Sequence, residues 1–186
     1  MDERLAAADA ALKAGRADEA IDLLIAVATD EPNQPARIYR VLLTQLYHRE
    51  RYEEGVGWGS AGAARYPRDL DILNVLGVVY RKLKRYREAL ASLDSAAKIA
   101  PGNLAVQSNR GNVLLDLDDG ARAEPVFTKL VRGDPRNAEF IRQLGRALYK
   151  QGKLAGAKSR FKQALSLQKT LVDAWLDLIA VANDEQ

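Results

Sequence analysis

The side chains in this sequence best suited to hold a ligand are cations and amides. Arg142 and Arg146 stand four residues apart, one turn along a common face if the segment is helical. Two guanidinium forks so spaced can grip an acidic side chain or a chain end, with charge-assisted bonds worth about 1.5–3 kcal/mol each. Asn112 offers an amide that can bond a peptide backbone or share a carboxylate. Catalytic chemistry has little to build on. His48 is the only histidine and cysteine is absent, which removes thiol–imidazole pairs, thiolate or paired-histidine zinc sites and disulfides. His48, on a polar helix turn, reads as solvated. The glycines follow neither GxGxxG nor phosphate-loop spacing, and the carboxylates are scattered. The sequence implies no enzyme activity of its own, no cofactor and no metal.

Composition bounds the partners. A net charge of +3 over 186 residues and a pI near 9.1 fall short of the dense Lys/Arg runs of a nucleic-acid binder. The opening MDERLAAADAALKAGR has an acidic start and no uninterrupted apolar stretch, so it does not read as a signal peptide. No apolar run reaches membrane-spanning length. The expectation is a soluble cytoplasmic protein without nucleic-acid binding or membrane insertion, in bacterial, Ala- and Arg-rich wording.

The elements that must carry these side chains are repeated. Gly77, Gly111 and Gly145 are 34 residues apart, as are Ala89, Ala123 and Ala157, then Pro67, Pro101 and Pro135, then Asp69, Asn103 and Asn137. In the unit Leu70 to Asn103, Ile72, Leu73, Leu76, Val79, Tyr80 and Leu83 recur at three- and four-residue steps, as do Ala89, Leu90, Leu93, Ala96, Ala97 and Ile99. Each set defines one side of a helix. Asp69 stands where an N-cap belongs, and Pro101 ends the second helix. Gly77 and Ala89 are small where the two axes should cross, with Tyr80, Tyr86 and Leu93 filling the space beside them. A hairpin of this kind has apolar faces left over and must stack on copies of itself.

Leu73, Leu76-Gly77, Tyr80, Tyr86, Ala89, Leu93, Ala96 and Pro101, with the fixed period, resemble the tetratricopeptide repeat. The resemblance implies an all-α fold, a right-handed superhelical solenoid of helix-turn-helix repeats. It divides a single domain 1–186 into units of about 1–34, 36–69, 70–103, 104–137 and 138–171 and a final helix 172–186.

Several units depart from the pattern. The first keeps Gly15, Ala20, Leu24 and Pro32 but has an Ala-rich first helix anchored only by Leu5 and Leu12. In the second, Leu43 takes the Gly77 slot while Gly55, Gly59 and Gly62 take those of Ala89, Leu93 and Ala96. A large residue on one helix is thus traded for small ones on its partner, and the helix 53–65 is expected to be the softest. Trp58 reads as core, with a binding platform as the alternative. In the fourth unit Gly120 replaces Tyr86, Pro125 falls about a turn into the second helix, and Arg110 occupies a packing slot with Asp116, Asp118 and Asp119 as candidate partners. Lys169 replaces the terminal proline of the fifth. On the last helix Trp175, Leu178, Ile179 and Ala182 share a face expected to pack on the fifth unit, leaving the side of Leu176 as a sticky end that pairs two copies.

The resemblance further implies that the first helix of each unit lines a concave groove through its second, fifth, ninth, twelfth and thirteenth positions. Those slots hold Arg37, Arg40, Arg81, Lys82, Arg142, Arg146 and Lys150 against Asp71, Asp116 and Glu139, so a positive groove is expected. The candidate ligand-binding residues are Arg40, Asn74, Arg81, Asn112, Arg142, Arg146 and Tyr149. Asn112, Arg142 and Arg146 match part of the carboxylate clamp of tetratricopeptide co-chaperones, whereas Asn74 and Val78 depart from it. SNRGNVL, Ser108 to Leu114, resembles the asparagine-bearing helices of the O-linked N-acetylglucosamine transferase arm, without that arm's ladder of asparagines. The expected function is binding of an acidic peptide or protein segment. The alternative is the substrate-recruiting arm of a larger enzyme such as a glycosyltransferase or sulfotransferase.

Overall fold

The computed structural model describes residues 3–30 and 34–184; Pro32 lies outside them. Eleven α-helices and no strands are present among the described residues. They are α1 (Glu3–Lys13), α2 (Ala17–Asp30), α3 (Ala36–His48), α4 (Tyr52–Arg65), α5 (Leu70–Lys82), α6 (Tyr86–Ile99), α7 (Leu104–Asp116), α8 (Gly120–Gly133), α9 (Ala138–Tyr149), α10 (Leu154–Leu167) and α11 (Val172–Asp184). The chain forms two compact units, 1–99 and 100–186. In the first, α1–α2, α3–α4 and α5–α6 are antiparallel hairpins, with α2 on α3 and α4 on α5. In the second, α7–α8 and α9–α10 are hairpins and α11 lies on α10 and α9.

The period of 34 has a local cause at each conserved slot. Asp69, Asn103 and Asn137 are N-caps whose side-chain oxygens each accept the backbone N–H three residues on, at 3.1 Å from Ile72, Val106 and Phe140. Each cap satisfies one of the donors that a helix start leaves orphaned. The turn inside each hairpin needs one left-handed residue. That place is held by Gly15, Glu50, Lys84, Asp118 and Gly152, with φ between 57° and 74°. Within the hairpins the small slot sets how closely the axes approach. A Cβ on Gly77 would lie 2.5 Å from Leu93, one on Gly111 2.6 Å from Phe127, and one on Gly145 2.5 Å from Phe161.

The α3–α4 hairpin inverts this arrangement. Leu43 is fully buried, and a Cβ on Gly59 would stand 3.2 Å from it, while one on Gly62 would stand 3.0 Å from Tyr39. The glycines of α4 are therefore sites of close approach. Trp58 packs against both apolar clusters of this region, around Leu42 and Leu46 and around Leu43 and Leu76. It is half-buried, lying over both cores.

Pro125 does not delay α8, which begins at Gly120. The carbonyl that loses its donor belongs to Ala121, an exposed residue, where water can serve it. Gly120 has its own reason: a Cβ there would fall 2.5 Å from the Ala147 carbonyl oxygen and 2.7 Å from the Lys150 Cβ. Gln151 closes the same junction, its two Nε2 N–H groups shared among the Gly120 and Ala147 carbonyls at 3.1 and 2.9 Å and Glu124 at 2.8 Å. Two of the acids expected near Arg110 have other roles. Asp118 lies 2.6 Å from Lys150 Nζ, and Asp119 caps α8 through the Arg122 N–H at 2.9 Å while pairing with the Arg122 side chain at 2.5 Å.

The last helix is turned differently from the expectation. Ala174 and Val181 are buried, and Leu178 packs with Val181 against Phe161 and Ala157. Trp175 and Ile179 instead point outward, 51% and 57% exposed, beside Leu176 at 58% and Val172 at 66%. The reason is the repeat geometry. Trp175 and Ile179 stand 34 residues after Ile141 and Gly145, the positions through which α9 meets its own second helix. No second helix covers α11 among the described residues, so that row faces solvent.

Candidate functional site

The candidate residues sit on the first helices of the hairpins, where Arg40 and Arg142 draw acids from their own helix or from the next first helix. In the unit 1–99, Arg40 on α3 reaches across to the start of α5, with Nε 3.3 Å from Asp69 and Nη1 3.5 Å from Asp71. Arg37 stands 3.3 Å from Asp9 of α1. Asn74 and Arg81 lie half-buried on α5. In the unit 100–186, Arg142 is the most enclosed cation of the row, only 8% exposed. Its Nε and Nη2 donate to Glu139 at 2.9 Å, its Nη1 donates to Asp177 of α11 at 2.9 Å, and Asp173 lies 3.6 Å away. Arg146 donates to Gln143 at 3.0 Å, and the Tyr149 hydroxyl donates to Asp184 of α11.

These contacts set the electrostatics. Glu139 is partly desolvated, which works against its charge, yet the bonds from Arg142 and Gln143 hold its carboxyl below the usual range. Burial pushes Asp177 up despite the Arg142 bond, with Asp173 nearby adding to the effect. One guanidinium thus serves three carboxylates, and burial and the Arg142 bonds pull Asp177 and Glu139 in opposite directions. A ligand carboxylate approaching Arg142 would meet a cation already neutralised and buried. Arg142 ties α11 to α9 through Asp177, and its guanidinium is enclosed by Glu139, Asp173 and Asp177.

Asn112 is in the opposite condition. Its Oδ1 is buried on α7 and accepts no hydrogen bond, although buried polar atoms are paired in the great majority of cases. His48 is exposed, edge-on to Tyr47 at 5.5 Å. Among the described residues no group of three His, Cys, Asp or Glu side chains could hold a metal ion, and no helix is long and apolar enough to cross a membrane.

Sequence reasoning saw the arginines but not their partners. The signal was available: Arg40 and Asp71 are 31 residues apart, and so are Arg142 and Asp173. A basic fifth slot is met by an acidic second slot of the next unit.

Family models described as "Tetratricopeptide repeat" match residues 5–69, 70–103 and 114–182. A TPR repeat-containing protein of Pseudomonas aeruginosa is 26% identical over 158 residues, covering 84% of this chain, and the chain spans only 27% of that relative's length. Among solved structures, a tetratricopeptide repeat protein from Parabacteroides merdae aligns with TM-score 0.85 at 15% identity, over 97% of this chain and 71% of that one. YrrB, described as a TPR protein with an unusual peptide-binding site, aligns with TM-score 0.71 at 18% identity over 87% and 83% of the two chains.

Proposed function

The chain belongs to the tetratricopeptide repeat family, and from that premise we propose that it is a protein-binding module that holds an extended peptide along the first-helix row of its second unit, with Asn112 as the orienting group. The observation that carries this reading is the buried, unpartnered Oδ1 of Asn112. An acceptor withdrawn from water without a partner costs about 1–3 kcal/mol, and turning the half-buried amide outward onto a backbone N–H of a bound segment would recover it. Arg146, half-buried one helix further on and donating to a neutral glutamine, supplies the positive charge for an acidic side chain of that segment. Arg142 is outside the contact set because it is buried and already neutralised by Glu139, Asp173 and Asp177. The peptide-binding site named for YrrB lends support by analogy of fold.

Selection of peptides from a displayed library against the wild-type chain, followed by titration of the best binder into Asn112→Ala, tests this. The variant should bind about tenfold more weakly while keeping its helix content. Equal affinities would remove Asn112 from the site. Binding should also weaken as salt rises, since the remaining charges are within reach of screening at about 8–10 Å.

A second contact surface is supported by Val172, Trp175, Leu176 and Ile179, each more than half exposed. Together they present roughly 400 Å² of apolar surface, the range in which a patch on a monomer is commonly functional. The occupant we infer is a second copy, because the stripe carries Trp175 near one end and exposed Ala182 near the other. A two-fold antiparallel pairing sets each indole against an alanine. About 800 Å² buried in total is below the usual 1,200–2,000 Å², which makes the dimer weak and reversible. Light scattering over a concentration series should show it, and Ile179→Asp should abolish it. A strictly monomeric wild type at high concentration would overturn it.

A further inference from the structure

The geometry points to a separate anchor site in the first unit, a pocket between α1, α2 and α3 that takes one apolar side chain of a peptide whose next residue is acidic. It is a cavity of about 220 Å³ lined by Leu5, Leu24, Ile38 and Val41, with Asp9 and Arg37 at its rim. Leu24 and Ile38 are buried and form the floor. Leu5 and Val41 are partly exposed walls packed on the cluster around Leu42. The space suits a side chain of leucine, methionine or phenylalanine size. Pockets for larger organic ligands run about 300–1,000 Å³, and an acyl chain would outrun this one.

The rim decides the neighbouring charge. Arg37 meets Asp9 only through Nη2, at 3.3 and 3.4 Å to its two oxygens. Both Asp9 oxygens are thereby engaged, while the guanidinium has further N–H donors to give. The pair is loose, with side chains 71% and 53% exposed, so little holds it against exchange. A carboxylate beside the anchored residue can share Arg37, whereas an ammonium would compete with Arg37 for Asp9. This site stands on a different unit and a different observation from the Asn112 reading.

The probes are three capped dipeptide amides, acetyl-leucyl-aspartyl, acetyl-alanyl-aspartyl and acetyl-leucyl-lysyl, titrated into the full chain with methyl-labelled Leu, Ile and Val. The first should shift the methyls of Leu5, Leu24, Ile38 and Val41 saturably and give intermolecular nuclear Overhauser effects to Leu24 and Ile38. The alanyl probe should bind about tenfold or more weakly, as expected from the lost buried area, and the lysyl probe severalfold more weakly. Val41→Phe, which fills the cavity, should abolish the response; should that variant not fold, the Overhauser contacts in the wild type decide alone. Equal binding of leucyl and alanyl probes, or unmoved pocket methyls, would overturn the site. Shifts confined to Val113 and Leu115 beside Asn112 would overturn it too while leaving the Asn112 reading standing, and Asn112→Ala should leave the pocket titration unchanged.

Discussion

Lys84 holds φ at +60° in the turn between α5 and α6, where Gly15 and Gly152 stand in the first and last hairpins. A side chain in the left-handed region costs roughly 1 kcal/mol that glycine does not incur. Lys84→Gly should therefore stabilise the protein by about 0.5–1 kcal/mol in urea unfolding, even though it removes a charge and adds no contact. Gly120 makes the reverse case. The atom facing its missing Cβ is the Ala147 carbonyl oxygen at 2.5 Å, a backbone group that cannot swing aside. Gly120→Ala should cost about 1–3 kcal/mol, and a midpoint unchanged from wild type would show that α8 and α9 can separate there without penalty.

At the scale of the helix, the caps make the stability depend on pH in a predictable direction. The N–H of Arg122 and its side chain both bond Asp119, holding that carboxyl below the usual aspartate range. A depressed folded value means that the stabilisation is present above the unfolded value and is lost as pH falls through the folded one. Asp119→Asn keeps an oxygen for the cap but loses the charge. It should be about 0.5–1 kcal/mol less stable than wild type at pH 7, and the difference should shrink as acid protonates Asp119. A difference constant with pH would place the effect outside the ionisation. Caps, crossing glycines and the residues facing them were readable from the sequence because each answers to backbone geometry that recurs every 34 residues. The state of the binding row was not readable in the same way. Whether Arg142 is free depends on Asp173 and Asp177 of another helix, and slot position says nothing of that. The facing of α11 was misjudged for a related reason: Trp175 and Ile179 carry the pattern of a row that meets a second helix, and α11 has none to meet among the described residues.

At the scale of the chain, each compact unit has its own buried core. Ile21, Leu42, Leu43 and Ile72 serve the first, and Leu114, Phe127, Ile141 and Phe161 the second. Stability in such arrays is close to a sum of repeat and nearest-neighbour terms, with about three repeats needed to fold. A fragment 1–99, with three complete hairpins, should give a helical spectrum and a sigmoidal urea transition on its own. A fragment 100–186 has two hairpins and α11, so its stability should depend on that one helix. There Leu178 and Val181 cover Phe161, and Asp177 with Asp173 supplies two of the three carboxylates around Arg142. Ending the second fragment at Gln168 would expose Phe161 and leave Arg142 with Glu139 alone, which combines lost apolar burial with a cation stripped of two of its three carboxylates. The shortened fragment should lose its cooperative transition or unfold at much lower urea. If it unfolds at the same midpoint as 100–186, the Arg142 cluster contributes nothing to the stability of the unit.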